Sequence, residues 1–480
     1  MMHAALGSER SLLIGGRWEA AEQVMPVTNP WSGEALGAVA CADPSHVARA
    51  VASALRGAEA MRDLSSGARS RILHAAAAAL EAEAESFAAA ITAETGKPIR
   101  AARREVARAV NTLRLSGEEA VRLAGETLAF DSFPGGEARS GHYVLEPVGV
   151  VAAITPFNDP LNLVCHKLGP AFAAGNAVVL KPAEQAPLVA IRLARLLLAA
   201  GLPGEALNLL TGRGGDFGDA LTGHADVAMV SFTGGAKVAQ AICRAAGIKR
   251  LAMELGGNGP VIVMDDADVG RAAAACAAGA FGAAGQNCVG VQRIYVHDAI
   301  HDVFQAALVA ATEALRVGDP LDPATDIGPM IGGDEAARII AWVDEAVARG
   351  ATLLTGGERA GALVRPTLLA DVPGDAPVVC HEAFGPIASL FRFTDLDEAI
   401  DAANGADYAI HAAIFTESHR TARHAARWLR AAGVMINDST DYRLDAMPFG
   451  GAGRGNMGRE GVRFAAREMS QTKVICYHDA

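Results

Sequence analysis

Val148-Gly149-Val150-Val151-Ala152-Ala153-Ile154-Thr155-Pro156-Phe157-Asn158 is a short apolar, β-branched run that stops at a polar turn. The apolar part is continuous rather than alternating and has a strand's length, which predicts a strand buried on both faces. Runs of the same kind follow at Ala177 to Leu180, Ala206 to Leu210, Val227 to Phe232 and Lys249 to Glu254. Between them lie helical patterns near Leu161 to Ala174, Pro187 to Ala200, Asp216 to Leu221 and Ala236 to Ala246. Such alternation predicts a parallel sheet covered by helices, with ligands at the carboxyl ends of its strands. A second series runs from Val261 to about Ile436, with helices near Ile300 to Leu315, Asp334 to Arg349 and Asp395 to Ala403. The predicted fold class is α/β, with two doubly wound domains facing each other across a cleft.

Ahead of this region, Leu12 to Val39 mixes short β-rich pieces with turn signals and predicts edge strands wrapped on a larger body. Asp43-Pro44 has the form of an N-cap followed by proline at the first helical position. Helical pattern continues to about Ala124, broken near Ser65-Ser66-Gly67 and Gly96-Lys97-Pro98, and Phe133-Pro134-Gly135-Gly136 marks a loop or hairpin. A chain of 480 residues exceeds one compact core. The net charge of −12 without a long basic run argues against nucleic acid as the main partner. The seven cysteines are scattered without a C-x-x-C pair, so neither a disulfide framework nor a metal site is expected. No apolar run suits a membrane and the first residues lack the order of a signal peptide, so a soluble cytoplasmic protein is expected.

Polar residues collect where the predicted strands end: Thr155 to Asn158, Lys181 to Glu184, Thr233 to Gly235, and Glu254 to Gly257. Thr233-Gly234-Gly235 before a helix suits a pyrophosphate at the helix N-terminus, though such glycines also serve packing alone. Lys181 and Glu184 on one turn suit a ribose, or form a surface ion pair. Glu254 closes an apolar strand beside small residues, where partial burial raises a carboxyl toward the range of a general base. Asn158 can donate to an oxyanion. Cys288 sits in Gly282-Ala283-Ala284-Gly285-Gln286-Asn287-Cys288-Val289-Gly290, a helix-to-strand connection bracketed by glycines. There it is either a nucleophile presented to a cleft or a small buried side chain. Singly, each of these residues also reads as a satisfied polar group.

Together they form a pattern. Pro156-Phe157-Asn158-Asp159-Pro160, Lys181-Pro182-Ala183-Glu184, Phe232-Thr233-Gly234, Glu254-Leu255-Gly256-Gly257-Asn258, Gly285-Gln286-Asn287-Cys288, Glu382-Ala383-Phe384-Gly385-Pro386 and Pro448-Phe449-Gly450-Gly451 occur in that order. The chain so resembles the aldehyde dehydrogenase superfamily over nearly its whole length. The resemblance implies a cofactor domain from segments 1–124 and 143–254 and a catalytic domain from 255–445. It also implies a small β oligomerisation element from 125–142 and 446–480, and a homodimer or homotetramer. It implies Cys288 as the nucleophile, Asn158 with the Cys288 N–H as oxyanion donors, and Glu254 as the base that hydrolyses a thioester. For the cofactor it implies Thr155, Pro156, Phe157, Lys181, Ala183, Glu184, Gly214, Phe232, Thr233, Gly234, Gly235, Leu255, Glu382 and Phe384. Glu184 accepts from ribose hydroxyls and repels a 2′-phosphate, so NAD is expected, with NADP possible.

Gly235, Ala239 and Tyr408-Ala409-Ile410 depart from the family's usual Ser, Gly and Tyr-Gly-Leu. Leu161 to Lys167 and Val291 to Val296 look like the branch acting on lactaldehyde, glyceraldehyde 3-phosphate and phosphonoacetaldehyde. A small polar or anionic aldehyde is therefore expected, with Arg104, Arg108, Arg443, Asn158 and Asn287 as substrate contacts, although each arginine also suits an ion pair. Asp159 and Asn287 replace the histidine and arginine of phosphonoacetaldehyde dehydrogenases, which counts against that substrate. The rival activities are a CoA-acylating dehydrogenase, disfavoured by Glu254, and a cysteine-dependent esterase as a side activity.

Overall fold

A computed structural model of the chain describes residues 10–406, 408–453 and 457–478. Two seven-stranded sheets dominate it. The first runs, edge to edge, Arg250–Glu254, Met229–Thr233, Val150–Ile154, Ala177–Lys181, Leu207–Leu209, Arg10–Ile14 and Arg17–Ala20. Its five strands from the predicted alternation are parallel, and the N-terminal hairpin adds two antiparallel strands at one edge. Val151 and Ala153 point into one apolar core while Val150 and Ala152 point into another on the opposite face. This two-sided burial is why the run is continuously apolar.

The second sheet runs Thr352–Thr355, Thr367–Ala370, Ile387–Phe393, Val291–His297, Gly259–Val263, His411–Phe415 and Gly433–Ile436. It is parallel except at the Thr352–Thr355 edge. Val261 and Val263 face one core and Ile262 the other. The expected α/β class with two doubly wound sheets is the observed one.

Pro44–Asp63 is a helix whose N-cap Asp43 accepts from the Ser45 and His46 amides. Ser66–Ala82, Ala84–Thr95 and Ile99–Ala120 follow, the third helix stopping where Gly96 adopts φ 72°. A separate three-stranded sheet joins Glu126–Thr127, Arg139–Pro147 and Ser470–His478. The central strand of that sheet runs past residue 142. Cross-strand pairing from Ser470↔Pro147 to His478↔Arg139 holds the tail along its full length. Among the described residues no helix is long and apolar enough to cross a membrane.

Candidate active site

The site lies where the two sheets meet. In the first sheet Thr233 pairs with Glu254 and Ile154 with Lys181, so the loops after these strands leave one edge at one level. Only four residues separate Glu254 from the strand beginning at Gly259. The chain therefore passes from the carboxyl edge of the first sheet to the amino edge of the second within the site. Gly259 in turn pairs with Val291, bringing the 255–258 and 285–290 segments side by side. The rule placing ligands at carboxyl ends thus holds for the first sheet, whereas the second contributes the loops before its strands, which carry Leu255, Cys288, Glu382 and Phe384.

Close approach dictates the glycines here. A Cβ on Gly257 would lie 2.9 Å from the Cys288 carbonyl oxygen, and one on Gly285 would lie 2.1 Å from the Gly385 carbonyl oxygen. A Cβ on Gly256 would overlap the Glu382 carboxylate, whose Oε1 accepts the Gly257 amide at 3.1 Å. The Cys288 turn is itself unusual: Ala283 and Ala284 take φ of 52° and 56°, conformations costing on the order of 1–3 kcal/mol each outside glycine. It is held by Gln286, whose Oε1 accepts the Ile331 amide at 2.9 Å, and by Asn287, whose Oδ1 accepts the Val289 amide at 3.2 Å. Phe384, at φ 48°, turns its ring edge-on to Phe157 with centroids 5.8 Å apart, bridging the two halves.

Two recesses open on Cys288. The first is lined by Pro156, Phe157, Thr233, Gly234, Gly235, Glu254, Leu255, Glu382 and Phe384, so it gathers most of the predicted cofactor residues. The second, about 450 Å³, is lined by all three predicted arginines, Arg104, Arg108 and Arg443, and by Asn287. Asn158, Leu163, Cys288, Arg443 and Phe449 belong to both. Lys181, Ala183, Glu184 and Gly214 do not line the first recess; Lys181 ends the neighbouring strand, Ala183 and Glu184 follow it, and Glu184 accepts the amide of Gly214, the first residue of the helix Gly214–Gly223, at 2.7 Å. Phe232 packs beneath Gly234, where a Cβ would sit 2.6 Å from its ring. Thr155 is buried and its Oγ1 has no partner among the described residues.

Electrostatics separate the acidic groups. Both oxygens of Glu254 are buried without a partner among the described residues. Burial and the nearby Glu460 carboxylate raise its pKa well above the ordinary value. Burial pushes the Cys288 thiol up to about 12, with Arg443 pulling the other way. Burial raises Glu382 to about 7. Glu460 behaves oppositely: burial is outweighed by Lys167 and Arg443, which hold it at about 2.

Sequence reading missed the buried network behind these residues. Lys97 bonds both Glu105 and Asp159. Arg108 reaches Asp159 at 3.3 Å and Asp445 at 2.9 Å, and Asp445 also contacts His166 at 3.0 Å. Lys167 contacts Glu460 at 3.2 Å and Ser231 at 3.1 Å. A signal existed for Glu105, a charge set in the apolar stripe of Ala102, Val106 and Ala109 on one helix. Among the described residues no cluster of His, Cys, Asp and Glu suits a metal ion.

The model of the aldehyde dehydrogenase family matches residues 18–475. The chain is 49% identical to aspartate-semialdehyde dehydrogenase 1 of Pseudomonas canavaninivorans, over 95% of this chain and 97% of that one. It is 44% identical to 3-sulfolactaldehyde dehydrogenase of Priestia aryabhattai, over 97% of each. Among solved structures, NADP-dependent glyceraldehyde-3-phosphate dehydrogenase from Bacillus halodurans, complexed with NADP, superposes with a TM-score of 0.95 at 36% identity. That match covers 98% of this chain and 99% of the other. Matched along nearly its whole length in sequence and in fold, this chain belongs to the aldehyde dehydrogenase family.

Proposed function

We propose that the protein oxidises a small polar aldehyde, anionic or hydroxylated, to its carboxylic acid with NAD(P). The observation that carries this reading is the meeting of two recesses at one sulfur, with Asn158 on their common wall and the unpartnered Glu254 carboxylate in the first. The family's glyceraldehyde-3-phosphate, sulfolactaldehyde and aspartate-semialdehyde enzymes support the substrate class.

Three features fit a dinucleotide. The helix Ala236–Ala246 starts at Gly235 without a side-chain cap, and a Cβ on Gly235 would meet nothing, which leaves its first amides open to an anion. Thr155 Oγ1 is buried and unpartnered. Glu184 spends one oxygen on Gly214 while 36% of its side chain stays exposed, leaving the other for ribose hydroxyls. Residues 10–124 and 143–254 would form the cofactor domain, 255–445 the catalytic domain, and the three-stranded sheet the contact between subunits. Val474 and Tyr477, exposed on the tail strand, and Phe133, exposed in the connection before Arg139–Pro147, support the last assignment and a homo-oligomer.

In this reading the Cys288 thiolate bonds to the aldehyde carbon while the Asn158 side chain and the Cys288 amide donate to the oxygen. The bound dinucleotide supplies the acceptor for the hydride that this carbon loses. Glu254 then takes a proton from water, whose oxygen attacks the Cys288 thioester and expels the thiolate. Aldehyde, water and NAD thereby give carboxylate, NADH and two protons. Glu254 supports hydrolysis over acyl transfer to CoA. The test follows NADH from the purified protein with NAD and a panel of charged and uncharged aldehydes. Turnover that Cys288→Ala abolishes supports the reading, and turnover surviving that change refutes it.

A further inference from the structure

The second recess has a charge pattern that names its ligand more closely. Its lining carries four cations, Lys97, Arg104, Arg108 and Arg443. Three of them are already neutralised: Lys97 by Glu105 and Asp159, Arg108 by Asp159 and Asp445, and Arg443 by Glu460. Arg104 alone of these makes no ion pair or hydrogen bond among the described residues, and it is exposed to the recess. The same lining carries two carboxylates, Asp438 and Asp441, that pair with no cation among the described residues. Arg104 and Asp441 are near enough for the arginine to lower the Asp441 pKa against the rise that burial causes. They nevertheless do not reach ion-pair distance of each other. Opposite charges left apart on two walls of one recess are a site for something that places its own opposite charges between them.

A dianion would find one free cation and two free carboxylates, an arrangement that rejects phosphate esters and phosphonates. A simple monocarboxylate would satisfy Arg104 and leave the aspartates unpaired. We infer, on the footing of the aldehyde oxidation proposed above, that the substrate is a zwitterionic amino-acid semialdehyde, its carboxylate toward Arg104 and its ammonium toward Asp441 and Asp438. The product would be an amino dicarboxylic acid, and the reaction supplying the substrate would be one that leaves an aldehyde on an amino-acid side chain.

The test compares L-aspartate semialdehyde with succinic semialdehyde, which has the same four carbons and carboxylate but no ammonium, and with butanal, which has neither charge. Each is assayed with NAD on the wild type and on Asp441→Asn and Arg104→Met. The expected wild-type order in kcat/KM is aspartate semialdehyde over succinic semialdehyde by at least about tenfold, ~1.4 kcal/mol, with butanal last. Asp441→Asn should bring the first two within about threefold of each other, and Arg104→Met should erase the advantage of both over butanal. A wild type that uses succinic semialdehyde as well as aspartate semialdehyde overturns the zwitterion inference while leaving aldehyde oxidation standing. Binding gives a second readout independent of turnover: the Cys288→Ser protein should gain more thermal stability from L-aspartate than from succinate. Equal shifts overturn the inference, and no NADH from any aldehyde removes the activity it rests on.

Discussion

Arg443 Nη2 lies 2.9 Å from Glu460 Oε2, and the guanidinium sits over Phe449 with its carbon 3.7 Å from the ring centroid. One cation thus stands at the edge of both recesses and pulls down the pKa of both Cys288 and Glu254. Removing it should raise the thiol further and leave less thiolate at any given pH. Arg443→Gln is therefore expected to alkylate several-fold more slowly at Cys288 with iodoacetamide between pH 8 and 10. Peptide mapping separates Cys288 from the exposed Cys380 and Cys476. An unchanged rate would mean that the charge is spent wholly on Glu460.

In the mechanism proposed above, Glu254 divides the reaction in two. Glu254→Gln keeps the shape and removes the base, so one equivalent of NADH per site should still form rapidly while steady turnover falls by roughly 10²–10⁴. Intact-mass measurement should then find the acyl adduct on Cys288. The pKa of Glu254 is raised, so the wild-type carboxyl is protonated at low pH and its turnover should climb as pH rises through that value. The variant should lack that limb of the profile.

Asn158 lies on the shared wall beside Cys288. Asn158→Ala should lower kcat by about 10²–10³ with little change in NAD affinity, as expected for a lost oxyanion donor. Fluorescence titration with NADH checks the second half of that statement.

Glu184 should set the cofactor ratio. Glu184→Ser keeps a hydroxyl near the Gly214 amide but removes the charge that opposes a 2′-phosphate. The expected result is a shift of at least about tenfold in kcat/KM toward NADP relative to NAD, ~1.4 kcal/mol. Saturation curves for both cofactors with one aldehyde measure it.

Asp445 is buried between Arg108 and His166. Burial alone would raise its carboxyl, but the His166 hydrogen bond and the Arg108 charge hold it below the usual range. A carboxylate depressed in the folded state gives stability that is present above its unfolded pKa of about 4 and fades as pH falls toward the folded value. Asp445→Ala strands both partners and should cost about 3 kcal/mol at pH 7. Scanning calorimetry should show the wild type and the variant converging as pH is lowered below about 4.

The fold was legible because its strands announce themselves. Val150 to Ile154 is apolar at every position since helices cover both faces of its sheet, and the second series has the same reason in Val261, Ile262 and Val263. Most of the motif glycines were legible too, because Gly234, Gly256, Gly257, Gly285 and Gly385 occupy spots where another group comes within contact distance, as Gly257 does beneath the Cys288 carbonyl. Helix ends at Asp43-Pro44 and Gly96 followed from capping chemistry that acts over a few neighbouring residues. The network of Lys97, Glu105, Asp159 and Asp445 was not legible. Its members are up to 348 positions apart in the chain, from Lys97 to Asp445, and no local pattern encodes which carboxylate will meet which cation.

By itself the sequence determined the α/β class and the order of the elements, and singled out Cys288, Glu254 and Asn158 as candidates, because these rest on short-range periodicity and on motifs a few residues long. Tertiary structure alone decided that the second sheet offers the amino ends of its strands to the site. It also decided which charges are spent: Arg108 and Arg443 are neutralised by partners while Arg104 is left without one among the described residues. Pairing depends on distances of a few ångströms between distant segments, and the Coulomb interaction that decides a charge's chemistry falls off over that same scale.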